Sequence, residues 1–174
     1  MPAIDHLFIS AKADGADNTL IQPGDWNADH VGLEWYRTGL DVTNSTVTPA
    51  DLPFLAFPIA ANEAVNFIAY IHSFAAALTT GIGISATGPA APTAVSLTLL
   101  SGSGAGTAMS IGVAAFATRA ITTGHASITL PQLTIVHGAI VNGANAGTVQ
   151  LRFDSEVAAS LVTVRRGALL LVYR

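Results

Sequence analysis

Short alternating runs recur through the sequence from Ala64 to Arg174, separated by segments that carry glycine, proline, asparagine and serine. The run "AVNFIAYIHSFAA" (Ala64–Ala76) sets Phe67, Ala69 and Ile71 on one face and Ile68, Tyr70, His72 and Phe74 on the other. Successive side chains of an extended chain point to opposite faces, so a period of two marks a strand. Gly81–Ala86, Ala94–Leu100, Ala108–Ala117, Ala126–Gly143, Gly147–Ser155, Ser160–Arg166 and Ala168–Arg174 repeat the pattern. That rhythm predicts an all-β, antiparallel β-sandwich of jelly-roll type over residues 59–174. The alanine-rich stretches Phe74–Leu78 and Ala114–Ala120 are the helical alternatives, and they are too short to change the class.

Charge is almost missing from the same region. Between Ala64 and Leu151, 88 residues, Arg119 is the one Lys, Arg, Asp or Glu. In an ordinary sandwich one face of each sheet meets water and is polar. Here both faces of several strands are Ala, Ser, Thr, Gly or aliphatic, so weakly polar surface must be covered. A homo-oligomer of cyclic symmetry, most simply a trimer, is the economical cover. Arg119 is then expected at a rim or paired across a subunit boundary.

Residues 1–58 read differently. Residues 1–63 hold nine acids and two bases, a net of −7, whereas residues 64–174 hold two acids and five bases, a net of +3. Asp14-Gly15 and Pro23-Gly24 are turn dipeptides, and Pro49, Pro53 and Pro58 bar a regular helix or central strand. Short extended pieces are expected at His6–Ser10, Leu33–Tyr36 and Leu40–Thr43. Residues 1–58 are therefore expected to form an extended N-terminal arm with short strands, its charge opposite to that of the body.

Composition removes several functions. No cysteine means no disulfide, no Cys-ligated zinc and no thiol nucleophile. "MPAIDHLFIS" lacks a basic start and a long apolar stretch, so no signal peptide is expected. Val65–Ala86 is apolar, but Asn66, His72 and Thr79-Thr80-Gly81 interrupt it and alternation accounts for it, so no membrane partner is expected. Bases are few, and Arg165, Arg166 and Arg174 have no interleaved aromatics, which argues against nucleic acid.

No arrangement of reactive residues stands out. Gly102, Gly104 and Gly106 follow a strand, but Thr107 stands where a dinucleotide fingerprint continues, so a hairpin loop is the better reading. His6, His30, His72, His125 and His137 show no i, i+4 pair for a metal. Asp14, Asp17, Asp25 and Asp29 lack the alternating ligands and final Glu of a calcium loop. Asp154 and Glu156 are the acids of the body; with Arg152 two residues earlier, a surface ladder Arg–Asp–Glu is expected rather than a glycosidase pair. No catalytic residue, cofactor or metal is predicted.

Three blocks carry a resemblance. "KADGADNTLIQPGDWNADH" (Lys12–His30) resembles a pattern common in proteins of tailed bacteriophages, roughly DG-x-D-(N/A)-T-L-(I/V)-x-P-x-DWNA-x-H. "TTGIGISATGPAAPTAVSL" (Thr79–Leu97) is similar to the middle of phage virion proteins, and "NAGTVQLRFDSEVAASLVTVRRGALLLVYR" (Asn145–Arg174) to their closing segment. The resemblance implies a virion structural protein without catalysis, on the capsid surface or tail, assembled in the host cytoplasm. It does not fix the virion part: a short chain without coiled-coil heptads or fibre-shaft repeats suits a capsid decoration or cement protein, docking on the major capsid protein or another virion protein through its arm, and the alternative is a tail-fibre or tail-tip component that binds host glycans. Trp26 is then the arm's anchor, with Leu20, Ile21 and Trp35 as lesser apolar contacts; the other reading seats Trp26 in its own core.

Overall fold

The computed structural model describes residues 33–102 and 108–174. Twelve strands follow in chain order: β1 (Leu33–Arg37), β2 (Val42–Asn44), β3 (Ala50–Ile59), β4 (Ala64–Ala75), β5 (Ile82–Thr87), β6 (Ala94–Gly102), β7 (Ala108–Val113), β8 (Ala120–Ile121), β9 (Gln132–Val141), β10 (Gly147–Ser155), β11 (Val162–Val164) and β12 (Leu169–Tyr173). Among the described residues there is no helix.

Every pairing is antiparallel, in two sheets. The larger runs β1-β12-β4-β9-β6-β7; β11 and β2 continue β12 and β1 alongside the far half of β4. The smaller runs β3-β10-β5-β8. The chain changes sheet at each step from β2 to β5 and again at each step from β8 to β11. If β1/β2 and β11/β12 each count as one strand broken by a turn, the two sheets read (β1/β2)-(β12/β11)-β4-β9 and β3-β10-β5-β8. This is jelly-roll topology, as the strand rhythm predicted. The hairpin β6–β7 is inserted between β5 and β8 and widens the larger sheet beyond β9.

Alternation explains the packing. Along β4, Val65, Phe67, Ala69, Ile71, Ser73 and Ala75 are buried, while the residues between them face outward. Inward residues of β3, β5 and β10 meet them, including Leu52, Leu55, Phe57, Ile84, Leu151 and Phe153. Phe57 and Phe67 join the two layers with ring centroids 5.5 Å apart. Gly138 on β9 makes room for that junction, because a Cβ there would lie 2.1 Å from the Phe67 ring.

Residues 33–58, which the sequence placed in the arm, supply β1, β2 and nearly all of β3. The prolines account for the difference. Among the described residues β3 pairs on one side only, with β10, so Pro53 and Pro58 sit on an edge strand where a missing N–H is tolerated. The strand predicted from Ala126 begins at Gln132, after Pro131, and the one predicted to Ala117 ends at Val113. The helical alternatives are strand and turn. Residues 1–32, including the His6–Ser10 strand and the remainder of the arm, lie outside the described residues.

Candidate functional site: the outer face of the larger sheet

The registers fix what each sheet shows to the outside. On the larger sheet, Trp35, Leu171, Ile68, His137 and Thr98 form one row across β1, β12, β4, β9 and β6. The rows beside it are Leu33–Tyr173–Asn66–Ala139–Ser96 and Arg37–Leu169–Tyr70–Ile135–Leu100. Trp35 is 39% exposed, Tyr173 40%, Leu133 42% and Leu100 39%. In these three rows Arg37, at the sheet edge, is the single charged residue. A face of aliphatic, aromatic and small polar side chains, whose one charge in these rows stands at the border, is the kind of surface that protein–protein contacts use.

A shallow groove of about 260 Å³ crosses this face, lined by Asn66, Ile68, Ser96, Thr98, His137 and Tyr173 among others. It presents amide, hydroxyl and imidazole groups beside one aromatic ring. Among the described residues no group of His, Asp and Glu could hold a metal. Nor is any helix among them long and apolar enough to cross a membrane.

The smaller sheet is finished differently. On β10, Val149, Leu151 and Phe153 point inward, and Gln150, Arg152 and Asp154 alternate with them. Arg152 Nε donates to Asp51 at 2.9 Å. Arg119 reaches Asp154 with both Nε (2.7 Å) and Nη2 (2.5 Å), so Arg119 pairs within its own chain. Asp154 is fully buried because Gly83 opposite leaves space for its carboxylate; a Cβ at Gly83 would stand 2.1 Å from Oδ1. Burial pushes the Asp154 carboxyl above its ordinary range, and the bonds and charge of Arg119 pull it back only in part. Glu156 accepts a hydrogen bond from the Gly81 backbone N–H at 2.9 Å. The expected Arg–Asp–Glu ladder is therefore replaced by three separate partnerships, because Arg119 and Asp51 come from other parts of the chain.

Two further clusters hold the ends. Arg174 binds Glu34 through Nε at 2.8 Å, contacts Glu63 and donates to the Pro58 carbonyl at 2.7 Å. Tyr36 donates to Glu34 at 2.5 Å. Burial would raise the Glu34 carboxyl, but bonds from Arg174 and Tyr36 bring it below its usual value. Inside the sandwich, His125 Nδ1 lies 2.7 Å from the Thr80 carbonyl and Nε2 lies 3.0 Å from Ser73 Oγ. A carbonyl can only accept, so Nδ1 carries the proton and Nε2 accepts from the Ser73 hydroxyl. The pair has the reach of a nucleophile and its base, but both residues are 0% exposed. A substrate cannot touch the Ser73 oxygen, and the pair acts as a latch between β4 and the segment after β8.

Of the residues singled out in the sequence, Trp35 stands on the apolar face and Arg119 on the Asp154 pair. Trp26, Leu20 and Ile21 lie outside the described residues. Sequence reasoning set Ile68 and Tyr70 on one face of their strand but missed that Ile135, Leu171 and Tyr173 join them in one surface. The signal was present as apolar residues on both faces of these strands.

No family model matches the chain, and no curated protein does. Among solved structures, that of infectious bursal disease virus strain Gx is similar at 12% identity and a TM-score of 0.20, over 94% of this chain and 40% of that one. The VP2 subviral particle of the same virus gives 12% and 0.20, over 92% and 44%. Strain Gt gives 12% and 0.19, over 94% and 42%. The chain spans less than half of the length of these viral proteins. Likeness at this level decides nothing about function, and the jelly-roll assignment rests on the strand order alone.

Proposed function

We propose that the chain is a non-enzymatic structural component of a tailed-phage virion, a capsid decoration protein that assembles as a trimer and docks through the residues ahead of Leu33. The outer face of the larger sheet carries this reading. A monomer that left Trp35, Leu100, Leu133 and Tyr173 in water would be prone to association, whereas a symmetric oligomer buries them. The blocks Lys12–His30 and Asn145–Arg174 support the phage setting by their resemblance to virion proteins. Sedimentation equilibrium of the full chain at micromolar concentration tests it, with a trimer expected. A stable monomer overturns the oligomer, and a map of the virion without the protein on its head overturns the decoration role.

The groove at Asn66, Ser96, Thr98, His137 and Tyr173 favours a second reading, a tail component that binds host glycans. Sugars are held by hydrogen bonds to such side chains and by stacking on an aromatic ring. Titrating neutral oligosaccharides while following amide and ring NMR signals separates the two. Shifts centred on Tyr173 and His137 favour the tail reading, and a silent titration favours the capsid one.

A further inference from the structure

At one end of the larger sheet, the turn after β1 and the turn between β11 and β12 enclose a cleft of about 420 Å³. Arg37, Thr38, Gly39, Arg166 and Gly167 line it. Its walls are laced together by backbone. Thr38 N–H donates to the Ala168 carbonyl at 3.0 Å, and Gly167 N–H to the Thr38 carbonyl at 2.9 Å. The Ala168 N–H reaches the Thr38 hydroxyl at 3.1 Å. Gly167 holds φ at +90°, where a side chain would be strained, so the turn is matched to its residue.

Charge separates this cleft from the rest of the molecule. Arg119, Arg152, Arg165 and Arg174 each pair with a carboxylate of their own chain. Arg37 and Arg166 form no ion pair among the described residues, and they share one cleft. The adjoining carboxylate, Asp41, is already engaged by Arg165 at 3.4 Å and by the Arg166 backbone N–H at 2.7 Å. A rigid cleft with two guanidinium groups and no free acid is suited to a carboxylate-bearing peptide.

The sequence contains such a peptide. Residues 1–32 carry Asp5, Asp14, Asp17, Asp25 and Asp29 against the single base Lys12. Their last residue joins β1 at Leu33, the end of that strand away from Arg37, so a chain's own segment must turn back along β1 to reach its own cleft. The segment of a neighbouring copy is not tied to this strand end. We infer that the Arg37–Arg166 cleft receives the acidic segment Asp14–Asp29 of a neighbouring copy. This inference rests on the arm-docking part of the proposed function and takes a second copy of the chain, rather than another virion protein, as the surface on which Asp14–Asp29 lands.

The absence of cysteine makes a direct test clean. Full-length Arg166→Cys and Asp25→Cys chains are mixed and oxidised, then resolved without reductant. Disulfide-linked dimers between the two variants are expected; their absence overturns the inference. A chain carrying both cysteines that closes only on itself also overturns it. Charge reversal gives the second arm. Arg37→Glu with Arg166→Glu should weaken assembly about 100-fold at low salt while leaving the melting temperature in place. Adding Asp14→Arg and Asp25→Arg to that chain should restore assembly. Assembly unaffected by the cleft reversal but abolished by Asp14, Asp17, Asp25 and Asp29→Asn sinks the cleft and leaves arm docking standing. Assembly indifferent to both sets sinks arm docking through charge altogether.

Discussion

The two sheets enclose the same core yet end their outer faces in opposite ways. The smaller sheet closes its polar groups on one another: Arg152 on Asp51, Arg119 on Asp154, and the Gln150 amide on the carbonyls of Leu52, Leu55 and Leu151. The larger sheet shows rows of Trp, Leu, Ile and Tyr with Asn66, Ser96, Thr98 and His137 set among them and, in these rows, Arg37 as the one charge. A face whose charges are all paired within the chain is complete in water. A broad apolar face gains free energy whenever another surface covers it. The difference therefore divides the molecule into a finished side, where the polar groups close on one another, and a side left largely apolar and uncharged.

The largest effect is expected on the finished side. Arg119→Ala leaves the Asp154 carboxylate buried without its partner and should cost about 3 kcal/mol in urea unfolding. The double change Arg119→Leu with Asp154→Leu removes both charges and should recover most of that loss. Equal damage from both variants means that shape, not charge, is what the pair supplies.

On the other side the effect should appear in association rather than folding. Ile68→Lys places a charge in the middle row of the apolar face and should weaken self-association by about 2 kcal/mol, read by sedimentation, with little change in melting temperature. If the variant melts early and associates normally, the face belongs to the fold and the comparison collapses.

A smaller change is expected at β3. Phe54 is 67% exposed and holds φ at +67°, which a bulky side chain adopts at a cost. It sits where the β3–β10 register slips between Gln150 and Arg152. Phe54→Asn should stabilise the isolated protein by about 1 kcal/mol, since Asn tolerates this region. No gain in thermal unfolding would mean that the bulge holds no strain.

The smallest effect at neutral pH belongs to His125. Burial lowers its pKa below the usual 6.5, the Thr80 carbonyl opposing in part. As pH falls past 6.5 the unfolded chain takes up a proton that the folded chain refuses, so stability drops with pH from there down to the folded pKa. Above 6.5 neither state is charged at this site and the contribution is flat. Denaturant unfolding between pH 8 and pH 5 should show this loss, and His125→Gln should reduce it; an unchanged slope in that variant assigns the loss to other groups.

Strand alternation made much of the sandwich readable. The stretch Gly147–Ser155 matches β10 end to end, and Ala64–Ala76 overshoots β4 by one residue. β3 was hidden because Pro53 and Pro58 look like breakers until its place at a sheet edge is known. β8 was hidden because two residues carry no period. The apolar face was anticipated as surface in need of cover, but its rows depend on registers between strands far apart in sequence. Asp154 with Arg119, and Arg37 with Arg166, are likewise joined only by the fold. Local pattern holds no record of which distant residues a jelly roll brings together.

The place of β11 and β12 also orders events in time. Both lie between the earliest described strands and β4, so among the described residues β1 has β12 as its one strand partner and β2 has β11. During synthesis β1 and β2 must wait unpaired while the intervening strands emerge. A chain that ends before Leu169 lacks β12, and β1 is then left without the strand that pairs it here.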